Sequence, residues 1–160
     1  MIDITDKKRA EQALMESEEK FSRAFQLNPD TVIIACGNLG SVGHGLYRTT
    51  DGGLNWTKLN VAAASAPSFE GKAQLSICAG SPDVVYASIG NGSGDANATW
   101  LIRSHDAGDT WFNASTEDYS LWQGWFSHDV AVHPTSPNLV LTCGIDIFKS
   151  TNSGVTLVGK

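Results

Sequence analysis

The spacing of apolar positions along this chain changes once, near residue 28. Before it, Ala10, Leu14, Ser17, Phe21 and Ala24 recur at a 4-3-4-3 spacing, with Ala13 and Phe25 beside them. That periodicity predicts an amphipathic helix over 1–27 with a narrow apolar seam, and Thr5 or Asp6 can cap its start. The seam suits either a short coiled coil or docking across a sheet edge. After Asn28 the apolar residues come in short runs bounded by Pro, Gly, Asn and Asp, which predicts strands and turns. The runs fall at about 31–36, 45–50 and 55–60, then at 73–79, 83–89, 99–104 and 110–114. A third group falls at 125–133, 138–143, 145–150 and 155–158, so Trp125 and Phe126 are expected in the core. The first group lacks a fourth, innermost run, because the helical segment stands where it belongs.

Within each group one phrase returns. Arg48-Thr49-Thr50-Asp51-Gly52-Gly53-Leu54-Asn55-Trp56 reappears as Arg103-Ser104-His105-Asp106-Ala107-Gly108-Asp109-Thr110-Trp111. It reappears again as Lys149-Ser150-Thr151-Asn152-Ser153-Gly154-Val155-Thr156-Leu157. The steps of 55 and 46 residues are those of a propeller or a similar array. A second phrase precedes each copy: Asn28-Pro29-Asp30, Ser81-Pro82-Asp83 and Ser136-Pro137-Asn138, each leading into a β-rich run. The Asp carboxylate can accept backbone N–H groups of its turn, the Gly tolerates a left-handed backbone, and the hydroxyl two residues before the Asp can bond locally. Thr49, Asp51, Gly53 and Trp56, then Ser104, Asp106, Gly108 and Trp111, then Ser150, Asn152 and Gly154, are therefore read first as structural. A metal-binding or acidic role for the Asp residues is the alternative.

These residues resemble the Asp-box, or BNR-type, repeat of sialidases, sortilin-type domains, xyloglucanase-type glycoside hydrolases and many bacterial propellers. The third copy departs from it at Asn152 and Leu157, which bears on the rigidity of the last turn. In that family the box is structural, so it carries no activity across. Gln123-Gly124-Trp125-Phe126 and Val130-Ala131-Val132-His133-Pro134 also resemble inner strands of bacterial Asp-box propellers. The resemblance implies an all-β, partial β-propeller of about three antiparallel four-stranded blades, at about 28–60, 73–114 and 123–158 within a 28–160 domain. An N-terminal α-helix precedes it. The first 30 residues resemble a different family. Asp3-Ile4-Thr5-Asp6-Lys7-Lys8-Arg9-Ala10 looks like the outgoing signalling helix of a PAS domain, and Ser17-Glu18-Glu19-Lys20-Phe21 like the start of another. No PAS ligand pocket or kinase motif follows.

Composition narrows the partners. A formal net charge of −6 with no basic stripe argues against nucleic acid. Residues 1–27 hold 5 of the 11 Lys and Arg, 6 of the 17 Asp and Glu and none of the 16 Gly, which sets them apart as helix. No apolar run is long enough to span a membrane. Met1 is followed by a charged segment rather than a signal peptide, so the chain as written is expected in the cytoplasm, although relatives of the propeller part are often secreted. Cys36, Cys78 and Cys143 are expected as buried free thiols. No zinc spacing is present and no cofactor is implied. Asn91 to Asn97 offers oxygen ligands without the complete pattern of a Ca²⁺ loop.

Antiparallel order sends the box turns to one rim of the array. The loops at 37–45 and 90–99 and the connections at 60–72 and 114–124 go to the other, where binding is expected. There Glu117, Asp118, Tyr119, Trp122, Trp125, His128 and Asp129 form the densest polar and aromatic cluster. Paired carboxylates near aromatics suit glycoside hydrolysis. Aromatic faces among polar groups suit carbohydrate or protein binding without catalysis. A sialidase is excluded by the shortage of Arg in the blades, and no nucleophile-elbow motif supports a Ser/His/Asp set. Three readings follow: a non-enzymatic binding or scaffold module, a fragment of a xyloglucanase-like glycoside hydrolase, and a PAS-linked signalling protein. Closed propellers have four to eight blades. Three blades are expected to leave sheet surface exposed unless copies associate.

Overall fold

The computed structural model of the chain describes residues 31–36, 43–61, 72–91 and 99–160. The predicted N-terminal helix, its PAS-like segment and residues 92–97 of the candidate Ca²⁺ loop lie outside the described residues. The chain divides into two compact units: 1–32 with 49–56, and 33–48 with 57–160.

Among the described residues the chain is all-β, in three antiparallel sheets. The first holds β1 (Val32–Cys36), β2 (Gly45–Thr49) and β3 (Thr57–Lys58) in that order. The second runs β4 (Ala73–Ile77), β5 (Val85–Gly90), β6 (Thr99–Ser104), β7 (Phe112–Ser115). The third runs β8 (Asp129–His133), β9 (Ser136–Cys143), β10 (Ile147–Ser150), β11 (Val158–Gly159). Each is a meander of sequence neighbours, the arrangement of a propeller blade.

The larger unit is built around its second sheet. Side chains of a strand alternate between faces. On β5, Val85, Ala87 and Ile89 join Trp100, Ile102, Trp111, Leu46 and Val61 in one apolar cluster. Tyr86 points the other way and joins Cys78, Leu101, Val130, Val132 and Val140 in a second. Both faces are covered, so all six residues of β5 are buried. Full burial of side chains such as these stabilises by about 1.5–3 kcal/mol each. Among the described residues the third sheet is covered on one face only. Along β8 buried and exposed residues alternate strictly.

That single covered face corrects one expectation. Cys143 is an exposed thiol, because Thr142 takes the inward position at the end of β9. Cys78 is buried and Cys36 half-buried. A second correction concerns Trp125 and Phe126. The inner strand begins at Asp129, and the residues before it fold into tight turns. The Ser120 carbonyl accepts the Gln123 N–H at 3.2 Å, and the Gln123 carbonyl accepts those of Phe126 and Ser127 at 2.9 and 2.8 Å. Both rings are thereby left exposed, at 42% and 63%.

Candidate functional site

The three box turns share one frame of hydrogen bonds, made by side chains on their own backbone. In the first, the Thr49 hydroxyl donates to Asp51 Oδ1 at 2.7 Å and accepts the Gly53 N–H at 2.9 Å. Asp51 also accepts the backbone and side-chain N–H groups of Asn55, at 2.9 and 2.8 Å. Trp56 Nε1 donates to the Gly53 carbonyl at 3.1 Å. In the second, Ser104, Asp106, Gly108, Thr110 and Trp111 repeat every one of these bonds at 2.5–3.0 Å. The backbone N–H of Asn55, followed by the Thr49 and Asn55 side chains, lowers the Asp51 pKa to about 2. Burial raises that of Asp106, but bonds from Thr110, Ser104 and Asp109 outweigh it and bring it to about 2. Carboxylates saturated in this way hold a turn and have little capacity left to act as acids.

Opposite the second box along β7, the connection 116–128 carries the predicted polar and aromatic cluster, and the structure divides it. Asp118 Oδ1 accepts the Thr99 hydroxyl at 2.9 Å and the backbone N–H groups of Ser120 and Leu121 at 3.1 and 3.2 Å. This pins the entry to the turn. Leu121 and Trp122 follow with φ of 32° and 63°. A left-handed backbone costs a residue with a Cβ roughly 1–2 kcal/mol. The Ser120 hydroxyl closes the loop on the Ser127 carbonyl at 2.5 Å. Lys72 Nζ donates to the Phe126 carbonyl at 3.3 Å.

Tyr119 and His128 are 1% and 4% exposed, which removes them from the candidate contact surface. Tyr119 donates to the Trp100 carbonyl at 3.2 Å. Ser88 lies 2.6 Å from the Tyr119 hydroxyl and 2.8 Å from His128 Nδ1. One pattern of hydrogens satisfies all three, with His128 Nδ1–H donating to Ser88 and Ser88 donating to Tyr119. His128 Nε2 is buried and has no hydrogen-bond partner among the described residues. Burial lowers the His128 pKa to about 4, with the nearby Lys72 charge adding to the effect. Burial also pushes the Tyr119 hydroxyl up. Ser88 and His128 have the spacing of a nucleophile and its base, yet Ser88 is fully buried, so the pair ties the loop to the second sheet. Gly90 makes the close approach possible, since a Cβ there would collide with the Gly124 carbonyl.

An aromatic shelf remains at the surface. Leu121, Trp122, Trp125 and Phe126 are 45%, 58%, 42% and 63% exposed. The Trp125 and Phe126 rings lie 5.3 Å apart at 40°. Glu117 and Asp129 are exposed, the first just after β7 and the second at the start of β8. Sequence reasoning missed Ser88 and Thr99, which hold this loop from the second sheet. Among the described residues no group of three or more His, Cys, Asp or Glu side chains gathers as a metal site, and no helix is long and apolar enough to cross a membrane.

No family model matches the chain, and no curated protein matches it in sequence. Solved structures do. A GH74 enzyme from Niastella koreensis superposes with a TM-score of 0.58 at 17% identity, over 83% of this chain and 21% of that one. The GH74 xyloglucanase from Xanthomonas campestris gives 0.51 at 21% identity, over 71% of this chain and 17% of that one. YCF48 bound to D1 peptide gives 0.51 at 13% identity, over 81% and 44%. The chain therefore has the fold of part of an Asp-box β-propeller. At these identities the likeness concerns the fold alone. The chain spans less than half the length of each of these proteins.

Proposed function

We propose that this chain is a non-enzymatic binding module whose contact surface is the aromatic shelf at Leu121, Trp122, Trp125 and Phe126. One observation carries the reading. In the 117–129 cluster Trp122, Trp125 and Phe126 are exposed, whereas three of the polar groups, Asp118, Tyr119 and His128, are buried or engaged, which leaves Glu117 and Asp129 as its exposed carboxylates. Tyr119 and His128 lie inside, and Asp118 holds the backbone of its own loop. Flat apolar faces on a braced loop suit the face of a sugar ring or an extended peptide. A braced loop also has little ordering entropy left to lose on binding. The carbohydrate ligand is the first choice, with a protein segment as the second.

The enzyme-fragment reading draws support from the two GH74 structures among the comparisons. In that case Asp129 or Glu117 would act with a carboxylate from outside this span. Calorimetric titration with xyloglucan oligosaccharides tests both readings. Saturable binding that weakens at least tenfold in a Trp122→Ala, Trp125→Ala double variant, with no release of reducing ends, is the expected result. Absence of binding to any oligosaccharide or peptide tested would overturn it. Turnover that disappears in Asp129→Asn would replace it with the enzyme reading.

A further inference from the structure

Among the described residues, four that carry a Cβ have a left-handed backbone: Ala107, Leu121, Trp122 and Ser153. At Ala107 and Ser153 the fold makes use of it. Their N–H groups donate to the Asp83 and Asn138 carbonyls, both at 3.0 Å, and their carbonyls accept from Arg48 and Arg103. Leu121 and Trp122 are adjacent. They are the two central residues of the turn in which the Ser120 carbonyl accepts the Gln123 N–H at 3.2 Å. Positive φ at both central positions is the mark of a type I′ turn, which Asn-Gly and Gly-Gly fill because they reach it without strain. A Leu followed by a Trp is unfavourable there.

Burial does not offset that strain. Both side chains are exposed, and the Trp122 indole N–H has no hydrogen-bond partner among the described residues. The conformation is imposed from outside the turn. Asp118 Oδ1 accepts the Ser120 and Leu121 N–H groups, and the Ser120 hydroxyl reaches the Ser127 carbonyl. The Tyr119 carbonyl accepts the N–H groups of Ile145 and Asp146, at 3.1 and 3.4 Å, from the turn between β9 and β10. A turn over-determined in this way can keep residues that its own backbone disfavours, and strain of this kind gathers at binding sites. Trp125 and Phe126 have no such backbone.

Resting on the reading of the aromatic shelf as the contact surface, we propose that Leu121 and Trp122 are its specificity-determining residues, held on a strained turn so that the indole lies against the ring face of a bound sugar. Stability is given up at 120–123 for a contact surface that needs no rearrangement on binding. The Trp122 indole N–H is a free donor for a sugar hydroxyl beside that face. Trp125 and Phe126 form the half of the shelf with ordinary backbone and contribute apolar area alone.

Urea midpoints and calorimetric titration with xyloglucan oligosaccharides, measured on one set of variants, test this. The double variant Leu121→Asn, Trp122→Gly is expected to raise the midpoint above wild type and to weaken binding roughly tenfold. The double variant Leu121→Ala, Trp122→Ala removes the same contacts but keeps a Cβ at both positions. It should weaken binding to the same degree without raising the midpoint. Trp122→Tyr should retain most of the binding. Equal midpoints in the two double variants would overturn the proposal, because the turn would then hold no strain. So would a first double variant that binds as wild type does while Trp125→Ala does not, a result that leaves the shelf itself standing. Wild-type protein that binds none of the oligosaccharides overturns the shelf and this proposal together.

Discussion

The second and third box turns build one frame from different side chains. In the second, the Asp106 carboxylate accepts three hydrogens: from the Ser104 and Thr110 hydroxyls and from the Thr110 backbone N–H. In the third, Asn152 Oδ1 accepts from the Ser150 hydroxyl at 2.8 Å and the Thr156 N–H at 2.9 Å. Its amide then donates to the Thr156 hydroxyl at 3.2 Å, so the last bond runs in the opposite direction. The Gly154 N–H still reaches Ser150 at 2.9 Å. The two turns part company at the residue that follows. Trp111 is buried in the core between the first and second sheets and donates to Gly108, whereas Leu157 has no ring N–H and is only half-buried. The lesson is that the frame tolerates loss of charge, while the anchoring of the turn depends on what the next strand places in a core.

The largest test of this contrast is truncation of the anchors. Trp111→Ala is expected to cost about 3–5 kcal/mol, by lost burial and the cavity left behind. Leu157→Ala should cost roughly 1 kcal/mol. Urea midpoints compare them, and equal costs would remove the distinction between the two turns.

Next in size is the acid response of the interior that backs the loop. His128 takes its proton near pH 4 when folded and near 6.5 when unfolded. The unfolded chain therefore binds more protons between those values, and stability is full above 6.5 and falls as pH drops through 4. The loss is on the order of 3 kcal/mol for a shift of that size. In His128→Gln it should be absent. A wild-type stability that stays flat between pH 6.5 and 4 would contradict the buried network with Ser88.

The smallest effects concern the frame itself. Asp106→Ala, which removes an acceptor of several bonds, is expected to cost about 1–2 kcal/mol. Asn152→Asp should change neutral stability by only a few tenths of a kcal/mol. The sign of its pH dependence is the sharper readout. A carboxylate whose folded pKa lies near 2 stabilises above its unfolded value of 3.8 and ceases to do so as pH falls through 2. Asn152→Asp should add acid sensitivity in that window to the third turn, and Asp106→Asn should remove it from the second. Chemical denaturation at pH 2, 4 and 6 separates the variants. Identical pH profiles for all of them would show that the frame does not depend on ionised carboxylates.

Most of the sheet order was legible because turn chemistry is local. A Ser or Thr, an Asp or Asn and a Gly at fixed offsets marked each hairpin, and the run at 99–104 coincides with β6. The inner strand of the third sheet was harder to place. Gln123-Gly124-Trp125-Phe126 has the hydrophobicity of a strand, but its backbone is spent on turns, and the apolar run that enters the core starts at Val130. Of the polar cluster, residue types alone marked the region. They did not separate Tyr119 and His128, which turn inward, from Trp122 and Trp125, which do not. Ser88 left no signal, being one small polar residue in an otherwise apolar strand.

The sequence by itself determined the repeat, the alternation of faces and the self-bonded turns, because each depends on residues within a few positions of one another. Tertiary structure decided which faces are covered. Tyr86 and Leu141 occupy matching register positions, yet one is buried and the other exposed. It also decided that a Ser and a His 40 residues apart meet inside a sheet rather than at a surface. These outcomes follow from what packs on each sheet, and nothing local in the chain encodes the presence of a neighbour.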